Sequence, residues 1–170
     1  MDITQLILDD HHEQRRLFAI LEQIDPQETA KLKAIWGRLA AFLEVHAEAE
    51  ERFFYPKLLK LGKGADGKRS ATSETKDAIE DHNEIRDAVA AAQKERVGTN
   101  KWFAAVAKAN HANSAHMGEE ERQGLTDFRR HAGLQLRHTM AVAFAVFEAQ
   151  HFAGVKAVDK SPEGYVAKNT

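Results

Sequence analysis

His46 and Glu50 lie four residues apart, and His116 and Glu120 repeat that spacing 70 residues later. On a helix, residues four apart project from one face, so each pair sets an imidazole beside a carboxylate. The first pair sits in an apolar stripe, with Leu39 seven residues before His46, Phe42 four before it and Phe53 three after Glu50. One isolated H-x-x-x-E in such a stripe reads as a buried hydrogen bond. Here a second repeat accompanies it: Asp10-His11-His12-Glu13-Gln14-Arg15 returns as Asp81-His82-Asn83-Glu84-Ile85-Arg86, 71 residues on. Two motifs duplicated at nearly one offset mark a duplicated helix pair. Packed as a bundle, the two hairpins bring His11, His46, His82, His116, Glu50 and Glu120 to one depth of an apolar core. Without compensation that cluster is costly to bury. A pair of metal ions compensates it, each carboxylate bridging both ions and two imidazoles capping each. About four protein ligands per ion leave an octahedral ion room for a bridging oxygen and an exogenous molecule. Such a site is reactive.

The elements that must position these groups follow from periodicity. A first helix is expected over residues 3–24, capped by Asp2, with Ile3, Ile7, Phe18 and Leu21 in the stripe that holds His11. Asp25-Pro26-Gln27-Glu28 reads as the start of a second helix, which turns Leu32, Ile35, Leu39, Phe42, His46, Glu50 and Phe53 inward. Pro56 is expected to kink or end it and Gly62 to stop it, before an exposed loop over 60–73. The third helix starts near Thr72 or Ser73 and carries Ile79, His82, Ile85 and Val89. After the Val97-Gly98-Thr99-Asn100 turn, the fourth carries Trp102, Val106, Ala109, Asn113, His116 and Glu120. A fifth, continuous or kinked, presents Leu134, Met140, Phe144 and Phe147, and the tail after Gly154 is expected to be loosely ordered. The fold class is therefore all-α: an antiparallel up-down four-helix bundle with an additional C-terminal helical segment, residues 1–153 forming the bundle and 154–170 the tail. His12, His111, His131, His138 and His151 have no partner at ligand spacing and read as structural or surface groups.

Bulk properties narrow the classes. A net charge of -2 gives no general attraction to nucleic acid or anionic membrane. The chain has no cysteine, which removes disulfides, thiolate metal sites and iron-sulfur clusters and leaves nitrogen and oxygen ligands for any metal. Asp2, Asp9 and Asp10 stand where a secretory signal needs basic and apolar residues, so a cytoplasmic protein is expected.

The order His, H-x-x-x-E, His, H-x-x-x-E, with the "DH…R" openings, the "HxxxEE" of the second helix and the "HMxxEE" of the fourth, resembles the hemerythrin-like (HHE) cation-binding proteins. Within that family it is similar to the bacterial stand-alone form, over roughly residues 3 to 125. The resemblance implies a non-heme, oxo- or hydroxo-bridged centre of two iron ions held by His11, His46, Glu50, His82, His116 and Glu120; manganese or zinc would also accept this donor set. Oxygen-carrying relatives have an extra histidine that finds no match here. The more symmetric site suits peroxide better than reversible oxygen carriage. Tyr55 stands where the family commonly has Phe before the proline. Simple helical spacing turns it about 140° from Glu50, with its hydroxyl at the surface; a distortion at Pro56 would instead aim it at the centre, as an iron ligand or a neighbour of the ligands. Glu51, Glu119 and Glu121 read as solvated or paired with Arg15, Arg52 or Arg122, with a place behind the ligands as the alternative for any one of them. The expected function is reaction with small oxidants, foremost catalase-like decomposition of hydrogen peroxide. The rivals are a sensor of oxygen, nitric oxide or iron, and iron handling without turnover.

Overall fold

Two apolar clusters, separated by a polar layer, organise the chain. The computed structural model describes residues 1–65 and 70–170, and every regular element among them is helical; residues 66–69 of the loop expected over 60–73 lie outside the described residues. Its elements are α1 (Ile3–Gln23), α2 (Thr29–Ala49), a π-helical turn (Glu50–Phe54), α3 (Tyr55–Leu61), α4 (Ala71–Lys94), α5 (Asn100–Arg122), α6 (Gly124–His131), α7 (Leu134–Gln150) and α8 (Pro162–Asn169). Asp2 caps α1 by accepting from the Thr4 N–H, Ser70 and Ser73 form a capping box on α4, and Thr99 caps α5. Asp25 instead accepts from the Gln27 N–H within a turn, and α2 begins only at Thr29.

The four legs of the bundle are α1, α2 with its continuation into α3, α4 and α5. One apolar cluster, containing Leu17, Leu21, Trp36, Leu43, Ile85, Trp102 and Ala109, fills the end nearest the two hairpin turns. The other, containing Ile7, Ala49, Phe54, Ile79, Leu125 and Phe144, fills the opposite end. On every leg the chain passes from one cluster to the other at a histidine: His11, His46, His82 or His116. At Gly98, φ is +84° and a Cβ would lie 2.4 Å from the Pro26 carbonyl, so glycine lets the two hairpin turns approach.

Three packing expectations change. Leu32, Leu39, His46 and Glu50 are buried as expected, but Trp36, Leu43 and Phe54 are buried in place of Ile35, Phe42 and Phe53, which are only half-buried. At those three positions the buried residue is the next one along, because a helix face selects whichever neighbour meets the facing leg. Leu134 is exposed, although Met140, Phe144 and Phe147 of α7 do bury against the bundle. Part of the tail expected to be loosely ordered forms α8. It is capped by Ser161, and the preceding Lys160 is fixed where Asn83 donates to its carbonyl and accepts from its N–H. Among the described residues no helix is long and apolar enough to cross a membrane.

Candidate metal centre

The six side chains singled out by the repeats meet at the polar layer, and all are at least 95 % buried. His46 Nε2 lies 3.0 Å from Glu50 Oε1, and His11 Nε2 is 3.9 Å from the same oxygen. The other Glu50 oxygen is 3.2 Å from His82 Nε2 and 3.8 Å from His116 Nε2. Glu50 thus stands between two imidazole pairs, one oxygen toward each. His82 Nε2 and His116 Nε2 are 3.2 Å apart; two donors about 2.1 Å from one ion and at right angles to it would sit about 3.0 Å apart. His11, His46 and Glu50 form one group able to hold a metal, and Glu50, His82 and His116 form another. Glu120 stands outside both: its Oε2 is 3.4 Å from His11 Nε2, while its Oε1 accepts a hydrogen bond from Tyr55.

The duplication extends behind these groups. His11 Nδ1 meets Glu121 at 3.0 Å, and Arg15 donates to the same carboxylate. Correspondingly, His82 Nδ1 meets Glu51 at 2.8 Å, and Arg86 donates to it. His46 Nδ1 faces Asp10 at 3.3 Å as His116 Nδ1 faces Asp81 at 3.4 Å. Carboxylates on the far ring nitrogens orient the rings, so that each Nε2 points into the centre. The halves differ in depth, since the Glu121 side chain is 27 % exposed and that of Glu51 only 1 %. Lys160, from the segment before α8, also contacts Glu51, and Tyr165 donates to the Glu51 backbone carbonyl. Glu51 therefore does not pair with the arginines expected; Arg52 engages Glu48 instead.

These contacts set the local charge. Burial pushes Glu51 up, but His82, Arg86 and Lys160 outweigh it and hold its carboxyl at about 2. His11 and Arg15 likewise hold Glu121 at about 2. Burial opposes protonation of His116, yet Asp81, Glu50 and Glu120 raise it to about 10. Glu50, Asp10 and Glu148 overcome burial to hold His46 well above its usual range.

Tyr55 overturns the expectation of a surface hydroxyl. It is 1 % exposed, and its hydroxyl donates to Glu120 at 2.6 Å. The cause is the π-helical turn: the Tyr55 N–H bonds the Glu50 carbonyl five residues back. Such a turn brings residues five apart nearly onto one face. Burial, then the charges of Glu120 and Glu50, raise the Tyr55 phenol well above its usual value. A cavity of about 20 Å³ lies between Tyr55, His116 and Glu120. The remaining histidines stay away from the centre: His131 pairs with Asp127, His151 bonds the Phe147 carbonyl, His138 faces the Met1 carbonyl, and His12 and His111 are exposed.

The model of the hemerythrin HHE cation-binding domain matches residues 2–126. The chain belongs to this family. No curated protein and no solved structure matched it. The hemerythrin match spans both hairpins, and residues 127–170, which supply α7, Lys160 and α8, lie beyond it. The residues of this hemerythrin domain suit a metal centre. His11 Nε2, His46 Nε2, both Glu50 oxygens and Glu120 Oε2 are buried without a hydrogen-bond partner, an arrangement that invites a cation. The donors are imidazole nitrogen and carboxylate oxygen, which suit iron, manganese and zinc alike.

Reading the repeat for its histidines missed Asp10, Asp81 and Arg86, although each lies within the duplicated D-H-x-E-x-R. The second acid of each Glu-Glu doublet was noticed without its histidine partner. Glu148, Lys160 and Tyr165 carried no local signal, because only the tertiary approach of α7 and α8 brings them in.

Proposed function

We propose that the chain is a hemerythrin-like protein in which His11, His46, Glu50, His82, His116 and Glu120 hold two iron ions, and that it decomposes hydrogen peroxide in a catalase-like reaction. The observation that carries this reading is the convergence of four buried imidazole nitrogens in two pairs on either side of Glu50, with His11 Nε2, His46 Nε2 and both Glu50 oxygens left without a hydrogen-bond partner. The division is even, two histidines to each group, which suits a symmetric oxidant. A bound iron pair supplies the two-electron exchange.

The chain's own groups do the rest. The cavity beside Tyr55 and Glu120 has room for about one water-sized molecule, so it shuts out bulky reductants. Of two peroxides consumed, one takes up two electrons and two protons to become two waters; the other gives up the same number to become dioxygen. The protons must be held between these halves, and the Tyr55 hydroxyl, donating to Glu120, is the buried O–H positioned to do so. Glu121 and Glu51 keep the His11 and His82 rings aimed inward through the exchange.

Metal analysis and oxygen evolution after peroxide addition test the proposal together. Two iron ions per chain, rapid oxygen release, and loss of both in His46→Ala are expected. Protein purified without metal, or iron-loaded protein that leaves peroxide intact, overturns it.

A further inference from the structure

The side of His46 that faces away from Glu50 carries a second constellation. His46 Nδ1 lies 3.3 Å from Asp10 Oδ2 and 3.9 Å from Glu148 Oε1, and the three donor atoms fall within 4.8 Å of one another. All three atoms are buried without a hydrogen-bond partner, and His46 is only 4 % exposed. Asp10 and Glu148 border a cavity of about 240 Å³ whose wall also includes Glu13, Arg38, Phe42 and Phe152, and His46 lies behind them. The neighbouring cations are turned elsewhere: Arg38 lies over the Phe42 and Phe152 rings, and Arg16 pairs with Glu13. Two carboxylate oxygens converging on one imidazole nitrogen are ill-satisfied by each other. A divalent cation that takes nitrogen and oxygen donors satisfies all three.

The duplicated half provides the comparison. Asp81 faces His116 as Asp10 faces His46, but among the described residues no three-donor group forms around Asp81. The difference is Glu148, which α7 delivers from beyond the segment matched by the family. Only the first hairpin therefore has a cation-binding group on its outer side. Its shared member, His46, is the wall between that group and the centre: Nδ1 faces one and Nε2 the other.

We infer that Asp10, His46 and Glu148 form a loading port that captures a divalent first-row cation and passes it round the His46 ring into the buried centre. This rests on the two-metal reading above. The inner donors are at least 95 % buried, so an ion needs a staging point on its way in. Once the ion passes to His46 Nε2, the ring proton moves to Nδ1, which then donates toward Asp10. The port is then reduced to two carboxylates and loses its grip. It hands cations on and stores none.

Cobalt(II) is the probe, its uptake by the chelator-stripped full chain and its release to excess chelator followed by visible absorption. A staging point lies on the path and not in the end state, so its loss slows both directions equally. Glu148→Gln is expected to slow uptake and release alike by about tenfold or more, leaving the stoichiometry and affinity of the two tight ions intact. Glu148→Lys slows them further and Glu148→Asp restores them. Unchanged rates in Glu148→Gln or Glu148→Lys, with both ions still bound, overturn the port and leave the centre standing. Faster release with weaker affinity also overturns it, since Glu148 would then only steady His46. A wild-type chain that binds no cobalt rejects the centre and the port together.

Discussion

Arg15 and Arg86 occupy the same position of the duplicated D-H-x-E-x-R segment, yet replacing each by Met should cost very different amounts. The Arg86 side chain is 4 % exposed; its Nε donates to Glu44 at 3.0 Å and its Nη2 to Glu51 at 3.0 Å. Removing one member of a buried, hydrogen-bonded ion pair costs about 3–5 kcal/mol. Glu51 keeps His82 and Lys160, so Arg86→Met belongs at the lower edge, about 3 kcal/mol. The Arg15 side chain is 38 % exposed and pairs with Glu121, itself 27 % exposed. Solvent screens that pair, and its loss costs at most about 1 kcal/mol. For a 170-residue chain the difference of about 2 kcal/mol separates the two variants by roughly 4–8 °C in Tm. Urea and thermal unfolding of chelator-stripped protein would measure it without contributions from metal linkage. Equal losses in the two variants would refute the claim that burial, and not the sequence motif, sets the energetics of this layer.

Tyr55→Phe removes the hydroxyl that donates to Glu120. It should cost about 1.5–3 kcal/mol in urea unfolding and lower the peroxide rate by about 10- to 100-fold while both ions remain bound. An unchanged rate would remove Tyr55 from the proton path. Gly98→Ala forces a side chain into a positive-φ position against the Pro26 carbonyl, and a loss of about 1–3 kcal/mol in thermal unfolding is expected. Stripping metal should lower Tm, since ligand at about a thousand times its Kd contributes about 4 kcal/mol. Uptake requires unprotonated imidazoles, so it should release protons to a pH indicator, and the affinity should weaken as pH falls.

Much of this was legible in the chain. The bundle follows from four apolar stripes of helical period, and the meeting of His11, His46, His82, His116, Glu50 and Glu120 follows from one duplication read against that period. Local caps were equally visible, as at Asp2. What failed was whatever depended on a departure from regular geometry or on a partner remote in sequence. For Tyr55 a regular 100° per residue gave the surface and only a distortion at Pro56 gave the centre; the turn, which closes with a bond five residues back, decides for the centre. The tail was expected to be loose because its few apolar residues say nothing of Asn83 and Glu51, which hold Lys160.

Sequence alone determined which side chains would share a level, because helical periodicity and a repeated motif act through neighbours along the chain. Only the tertiary structure decided how the two halves differ. Glu148 reaches His46, Lys160 reaches Glu51, and Tyr55 reaches Glu120, each across more than 60 residues of chain. A duplication writes two equal half-sites into the sequence. Burial and long-range contacts, which depend on where every other helix lies, make them unequal.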